Sequence, residues 1–381
     1  MKLAVLRERR DNEKRVAATP ESVKKLIGLG FDVIVEKDAG TNAHISDAAY
    51  TAEGATIGSN TKATIKDADV IIAVQGLEME DISGAKSGAL HISVLNAFKE
   101  KDRLNAYAKA GISAFAMEMV PRISRAQSMD VLSSQSNLAG YKAVLDATEY
   151  FGRAFPMMMT AAGTVAPARL LVMGAGVAGL QAIATAKRLG AIVSATDVRA
   201  VAKEQVESLG GTFVMVEDDE TADAETSGGY AKEMSDEYKA KQAELIASTL
   251  AKQDIAITTA LIPGRPAPML ITEAMVKSMK PGSVIVDMAV EAGGNCELSK
   301  AGEVIEVHGV TIIGHLNIPS RLAADTSSLY ARNLVHFITP LVDAESKSLS
   351  IDWEDEIISG TLISRDGALV HPQFMPKPKG E

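Results

Sequence analysis

Residues 170–179 read Leu170-Leu-Val-Met-Gly174-Ala-Gly176-Val-Ala-Gly179, and the run Ala191-Ile-Val-Ser-Ala-Thr196 ends at Asp197. An apolar strand runs into Gly-x-Gly-x-x-Gly, a helix opens, and a second strand stops at an acid. Gly174 permits a tight turn, Gly176 lets backbone approach a pyrophosphate, and Gly179 lets the helix pack close to the strand. Ala175, Val177 and Ala178 complete the turn at the helix N-terminus. Free N–H groups and the positive dipole end favour phosphate there. Asp197, followed by Val198, stands where a carboxylate accepts hydrogen bonds from ribose hydroxyls. It would repel a 2′-phosphate, so NAD(H) is favoured over NADP(H). Arg199 is the counterweight, because an arginine near this position can accommodate a 2′-phosphate. With Asp197 present it is read as secondary. Strand, glycines, helix and acid at this spacing predict a dinucleotide-binding unit.

Working outward, residues 168–316 continue as such a unit. Strands are expected at 254–259 and 283–289, each followed by a turn-rich segment at the carboxyl end, where open α/β sheets bind ligands. The first segment holds Ala260, Leu261, Pro263 and Gly264, read as bordering adenosine and ribose, although a plain Pro-Gly turn is also compatible. Residues 216–242 are acidic and read as a solvated excursion. Within it, Gly229 and Tyr230 could fold down over a bound ligand. The N-terminal part alternates strands (2–6, 32–36, 69–74, 90–95) with polar helices, one of them opened by Thr19-Pro20-Glu21. That pattern implies a second, mainly parallel sheet.

Residues 121–137 interrupt the rhythm with a polar, hydrogen-bonding run containing Arg122, Gln127, Asp130 and Ser133. Their side chains suit a carboxamide, ribose or phosphate as well as an interdomain turn. A helix carrying Leu138, Tyr141, Val144, Leu145 and Phe151 follows. The expected fold is α/β: two Rossmann-like doubly wound parallel-sheet domains joined by long helices, with a cleft between them. Residues 1–133 form an N-terminal α/β domain completed by about 322–381, and residues 134–321 form the NAD(H)-binding domain.

Composition narrows the function. The chain has 381 residues and a net charge of −10, which argues against nucleic acid and anionic lipid as partners. Cys296 is the single cysteine, so no disulfide framework or thiol metal cluster is expected, and no metal site is assigned. No stretch approaches about 18 uninterrupted apolar residues, so direct membrane insertion is not expected. The apolar part of the N-terminus is too short for a signal peptide.

The run Glu8-Arg-Arg-Asp-Asn-Glu13-Lys-Arg15-Val-Ala-Ala-Thr-Pro20 resembles the N-terminal signature shared by alanine dehydrogenases and NAD(P) transhydrogenases. Leu6 departs from it, where proline is usual. Residues 121–137, 157–164, 228–233, 258–264 and 314–321 resemble one branch, the NAD(H)-binding component (domain I) of proton-translocating transhydrogenases. Because the chain stops at Glu381 without membrane helices, it is most similar to the separate alpha-1 subunits of that branch. The resemblance implies that Arg122, Gln127, Asp130 and Ser133 lie against the nicotinamide and its ribose and phosphate. It further implies a homodimer, docked on membrane-spanning subunits that carry the proton path and the NADP(H) site. The expected location is cytoplasmic, peripheral on the inner membrane through those protein partners.

Alanine dehydrogenases, by the same resemblance, place an arginine, a lysine, a histidine and an aspartate around their substrate. Here Arg15 is kept, Gln75 stands in the lysine region, Asn96 in the histidine region, and Glu291 near the aspartate. Without the lysine or histidine no obvious general acid/base remains for amino-acid chemistry, with His91 the only histidine nearby. Two alternatives stay open: a standalone alanine-type dehydrogenase, and a non-catalytic NAD(H) sensor. His315 and Asn317 suit a helix-start or core role as readily as cofactor contact, and Cys296 is expected to be inert.

Overall fold

A computed structural model describes residues 1–199, 201–216, 235–262 and 264–375. Gly229, Tyr230 and Pro263 lie outside them. The chain divides into two compact units, Met1–Gln135 with Ser320–Glu381, and Ser136–Pro319.

In the first unit, β1 (Lys2–Val5), β2 (Asp32–Glu36), β3 (Thr56–Gly58), β4 (Val70–Gln75), β5 (Leu90–Val94) and β6 (Ser113–Ala116) line up as β3-β2-β1-β4-β5-β6, all parallel. The strands read as continuous apolar runs because both faces are covered. Along β4, Val70, Ile72 and Val74 join one buried cluster with Tyr330, Leu334 and Phe337 of the helix Ala323–Ile338. Ile71 and Ala73 join the other, with Leu104 and Tyr107. The helix Pro20–Gly28 starts where its sequence directs: Thr19 caps it, Ser22 reciprocates, and Pro20 occupies the first turn.

The second unit contains a hairpin, β7 (Met158–Thr160) and β8 (Gly163–Val165). Its main sheet comprises β9 (Arg169–Met173), β10 (Ile192–Thr196), β11 (Thr212–Phe213), β12 (Ile255–Thr258), β13 (Val284–Asp287), β14 (Val304–Val307) and β15 (Val310–Ile313). The order is β11-β10-β9-β12-β13-β15-β14, parallel except for β14. Strand order reverses between β9 and β12, which makes their carboxyl ends the topological switch point. Both sheets are thus parallel-dominated and doubly wound.

The chain then returns to the first sheet, where β16 (Leu362–Arg365) pairs antiparallel with β6 and β17 (Ala368–Leu369) extends it. The polar run at 121–137 is helical sooner than its composition suggests. A short 3-10 segment spans Ser124–Met129, and the helix Val131–Tyr150 begins directly after Asp130. Asp130 accepts hydrogen bonds from the Ser133 backbone at 2.9 Å and hydroxyl at 2.6 Å. This side-chain cap replaces the backbone partners that a helix start lacks. Ser134 and Gln135 are held from outside the helix, by Asn333 and by the Thr326 carbonyl. Among the described residues, no helix is long and apolar enough to cross a membrane.

Candidate functional site

The glycine turn sits at the switch point of the second unit. Gly174 has φ +106°, a conformation that a side chain would strain. A Cβ on Gly179 would lie 1.8 Å from the Gly174 carbonyl oxygen, so the helix Val177–Arg188 can approach the strand only with glycine there. The Thr259 hydroxyl donates to that same carbonyl at 2.9 Å, tying the turn to the end of β12. Gly176 behaves differently: a Cβ there would meet nothing within 4 Å. The backbone at Gly176 therefore faces open space at the start of a 12-residue helix that has no side-chain cap. This cradle fits a pyrophosphate: Gly176, Val177, Ala178 and Gly179 would hold it through backbone N–H groups.

Asp197 lies at the end of β10 with its side chain almost buried. Its Oδ2 accepts the Ala175 N–H at 2.7 Å, which fixes the glycine turn, while Oδ1 accepts the Arg199 N–H at 2.9 Å. The Arg199 guanidinium adds a two-pronged pair, Nε to Oδ1 at 2.9 Å and Nη2 to Oδ2 at 3.0 Å. Arg199, read from sequence as secondary, is thus a principal partner of the acid. The cause is local: Arg199 is two residues beyond Asp197, and a planar guanidinium matches a carboxylate edge-on.

The segment after β12 is held by two residues that the sequence reading did not single out. Asn295 is fully buried. Its Oδ1 accepts the Ala260 N–H at 3.1 Å, and its Nδ2 donates to the carbonyls of Ala260 at 2.9 Å and Pro268 at 2.7 Å. Asn295 is in turn placed by Asp287, at the end of β13, which accepts the N–H groups of Ala289, Asn295 and Cys296 and the Thr258 hydroxyl. The result presents Leu261 and Gly264 outward, Gly264 with φ +70°. An asparagine directly after a double glycine at a strand end was the available signal. Cys296 is buried, which pushes its thiol pKa up. Asn317 has φ +43° and donates its N–H to Glu291, the mark of a turn residue.

In the first unit, Arg122 and Gln127 are exposed, while Asp130 and Ser133 are half-buried and engaged in the helix cap. Ala126 and Met129 anchor this segment in the core, the Asn333 amide donates to the Ser128 carbonyl, and Arg125 pairs with Asp355 at 2.8 Å. The polar side chains thus stand on a braced platform.

The carboxyl ends of β1 and β4 form the first unit's own switch point, beside a cavity of about 540 Å³ lined by residues 7–14 and Asn42. Arg15 is buried there with its donors engaged: Nε and Nη2 to Glu13 at 2.8 and 2.6 Å, and Nη1 to Gln135 at 2.8 Å. Gln75 donates to Glu13 at 3.0 Å, and Asn96 donates to Gln75 at 3.1 Å. Glu8 accepts the Val74 and Gln75 N–H groups, yet burial and the neighbouring Glu13 push its pKa up to about 8. His91 lies inside the core, hydrogen-bonded to Ser93, and burial pushes its pKa down to about 3.

The alanine dehydrogenase/PNT family matches nearly the whole chain, its N-terminal domain over residues 4–139 and its C-terminal domain over residues 143–372. An NAD(P) transhydrogenase alpha subunit of Rhodospirillum rubrum, the first of the segments into which that subunit is divided, is 60% identical over 377 residues, covering 98% of each chain. The crystal structure of a transhydrogenase from Sinorhizobium meliloti is 54% identical, with a TM-score of 0.89 over 97% of this chain and 100% of that one. An L-alanine dehydrogenase structure, 23% identical with a TM-score of 0.82 over 98% of each chain, shares the fold. The chain belongs to the alanine dehydrogenase/PNT family and, within it, to the NAD(P) transhydrogenase alpha subunits.

Proposed function

We propose that this chain binds NAD(H) in its second unit and takes part in direct hydride transfer with NADP(H) held on a partner subunit. Membrane-spanning subunits would couple that transfer to proton translocation. The observation that carries the reading is the glycine turn at the β9/β12 switch point, open at Gly176 and closed against the strand at Gly179. The bound nicotinamides supply the chemistry: a C4–H bond breaks on NADPH, its hydride carries both electrons, and a C4–H bond forms on NAD⁺. No proton leaves either ring, so the protein's work is orientation and exclusion of water. Arg122, Gln127, Asp130 and Ser133 would serve the nicotinamide end. Gly174 to Gly179, Asp197, Val198, Arg199, Ala260, Leu261 and Gly264 would serve the pyrophosphate and adenosine end, with Gly229, Tyr230 and Pro263 assigned by resemblance. A homodimer docked on the cytoplasmic face of the inner membrane through its partners completes the proposal.

The first unit supports this over amino-acid chemistry. An amino-acid dehydrogenase needs a cation open to the substrate carboxylate and a group that moves a proton. Arg15 already holds Glu13 and Gln135, and Gln75 and Asn96 cannot act as acid/base groups near neutral pH. The test is hydride transfer from NADPH to an NAD⁺ analogue, with and without membranes stripped of this chain. Activity only when both are present is expected. NADH oxidation with pyruvate and ammonia by the chain alone would establish a dehydrogenase instead. Tight NADH binding with no transfer to any partner would make it a sensor.

A further inference from the structure

We propose that Arg199 is an internal competitor for Asp197, and that it sets both the affinity of the site for NAD(H) and its rejection of NADP(H). The proposal rests on reading the second unit as the NAD(H) site. Asp197 accepts four hydrogen bonds from its own chain, about as many as the two oxygens of a carboxylate readily take. Two come from backbone, the Ala175 N–H in the glycine turn and the Arg199 N–H, and neither can leave without unmaking the turn. The other two come from the guanidinium, which is the one movable donor. A ribose diol approaching Asp197 must therefore take the place of the Arg199 fork. Each exchange replaces a charge-assisted hydrogen bond by one from a neutral hydroxyl, so part of the intrinsic affinity for NAD(H) is spent in parting the pair.

The same geometry bears on selectivity. A bare Asp197 would repel a 2′-phosphate. Paired with Arg199 its charge is largely neutralised, and a displaced guanidinium offers a fork that suits phosphate as well as carboxylate. The wild-type site should thus bind NADH more weakly, and discriminate against NADPH less sharply, than Asp197 alone would.

Fluorescence titration of the full-length chain with NADH and NADPH tests this in the wild type, Arg199→Ala and Arg199→Lys. Asp197 keeps both backbone N–H partners in either variant, so its carboxylate is not orphaned and the fold should hold. Arg199→Ala should bind NADH roughly tenfold more tightly, and the ratio of NADPH to NADH dissociation constants should widen by at least as much. Arg199→Lys, which keeps the charge but not the fork, should fall between wild type and Arg199→Ala on both measures. Unchanged or weaker NADH binding by Arg199→Ala, or a narrowed ratio, would overturn the proposal. A wild-type chain that binds no NADH would instead overturn the nucleotide-site reading beneath it.

Discussion

Single residues decide what each switch point can hold. Glu8 is the residue whose ionisation matters most for stability. Its folded pKa is raised to about 8 by burial and by Glu13, against an ordinary 4.5. Below the ordinary carboxyl range both folded and unfolded chains keep the proton, whereas between that range and pH 8 only the folded chain does. Stability should therefore fall as pH rises through that window, by up to about 1.4 kcal/mol per pH unit. Glu8→Gln, measured by urea unfolding at pH 5, 6.5 and 8, should flatten that slope, and an unchanged slope would refute the assignment. His91 works in the opposite direction: held neutral down to about pH 3, it costs stability on acidification. Asn295 carries a second prediction. Asn295→Ala removes the partners of both polar groups of Ala260 and of the Pro268 carbonyl. We expect a loss of about 2 kcal/mol or more in denaturant unfolding and weaker NADH binding. Retention of wild-type values on both would show that the segment holds itself.

Secondary-structure elements show where the sequence could be read and where it could not. The unit from β9 to β10 was legible because everything that shapes it is local: apolar run, glycines, acid. The start of the helix Val131–Tyr150 was not. Its first two turns, Val131-Leu-Ser-Ser-Gln-Ser-Asn137, are poor in helix formers and look like loop. They are helical because Asp130 caps them and because distant residues hold Ser134 and Gln135. Asn295 escaped notice for a similar reason, since its partner Ala260 lies 35 positions earlier and only the strand order brings them together. The same helix yields a prediction. A Cβ on Gly140 would lie 2.0 Å from the Ala178 carbonyl, on the first turn of the helix after the glycine motif. Gly140→Ala should drive the two helices apart, costing about 2–3 kcal/mol and weakening NADH binding. Gly28→Ala, where a Cβ meets nothing within 4 Å, is the control and should be neutral or slightly stabilising.

For the whole molecule, the two sheets tell different stories from similar material. Both have the 3-2-1-4-5 strand order and a switch point. In the second unit the ends of β9 and β12 leave backbone facing open space. In the first, the buried Arg15, Glu13, Gln75 and Gln135 satisfy one another. Strand order alone therefore does not tell a binding site from a closed one, and the side chains at the strand ends do. If only the second unit takes NADH, saturating nucleotide at about 100 times its dissociation constant should stabilise that unit by about 2.7 kcal/mol. Hydrogen exchange should then slow in β9, β10 and β12, and equal slowing confined to β1 and β4 would place the ligand in the wrong unit.

The antiparallel seat of β16 on β6 has a consequence for how the chain is made. The ribosome delivers β6 some 250 residues before its neighbour β16. Throughout that interval the nascent first sheet has an open flank, with unpaired N–H and C=O groups on the strand Ser113–Ala116. The second unit, encoded without interruption between the two halves, can finish while the first still waits. Translation that stalls or terminates after residue 350 should thus release a product with a complete nucleotide-binding half and an adhesive strand edge, prone to pairing with other unfinished chains.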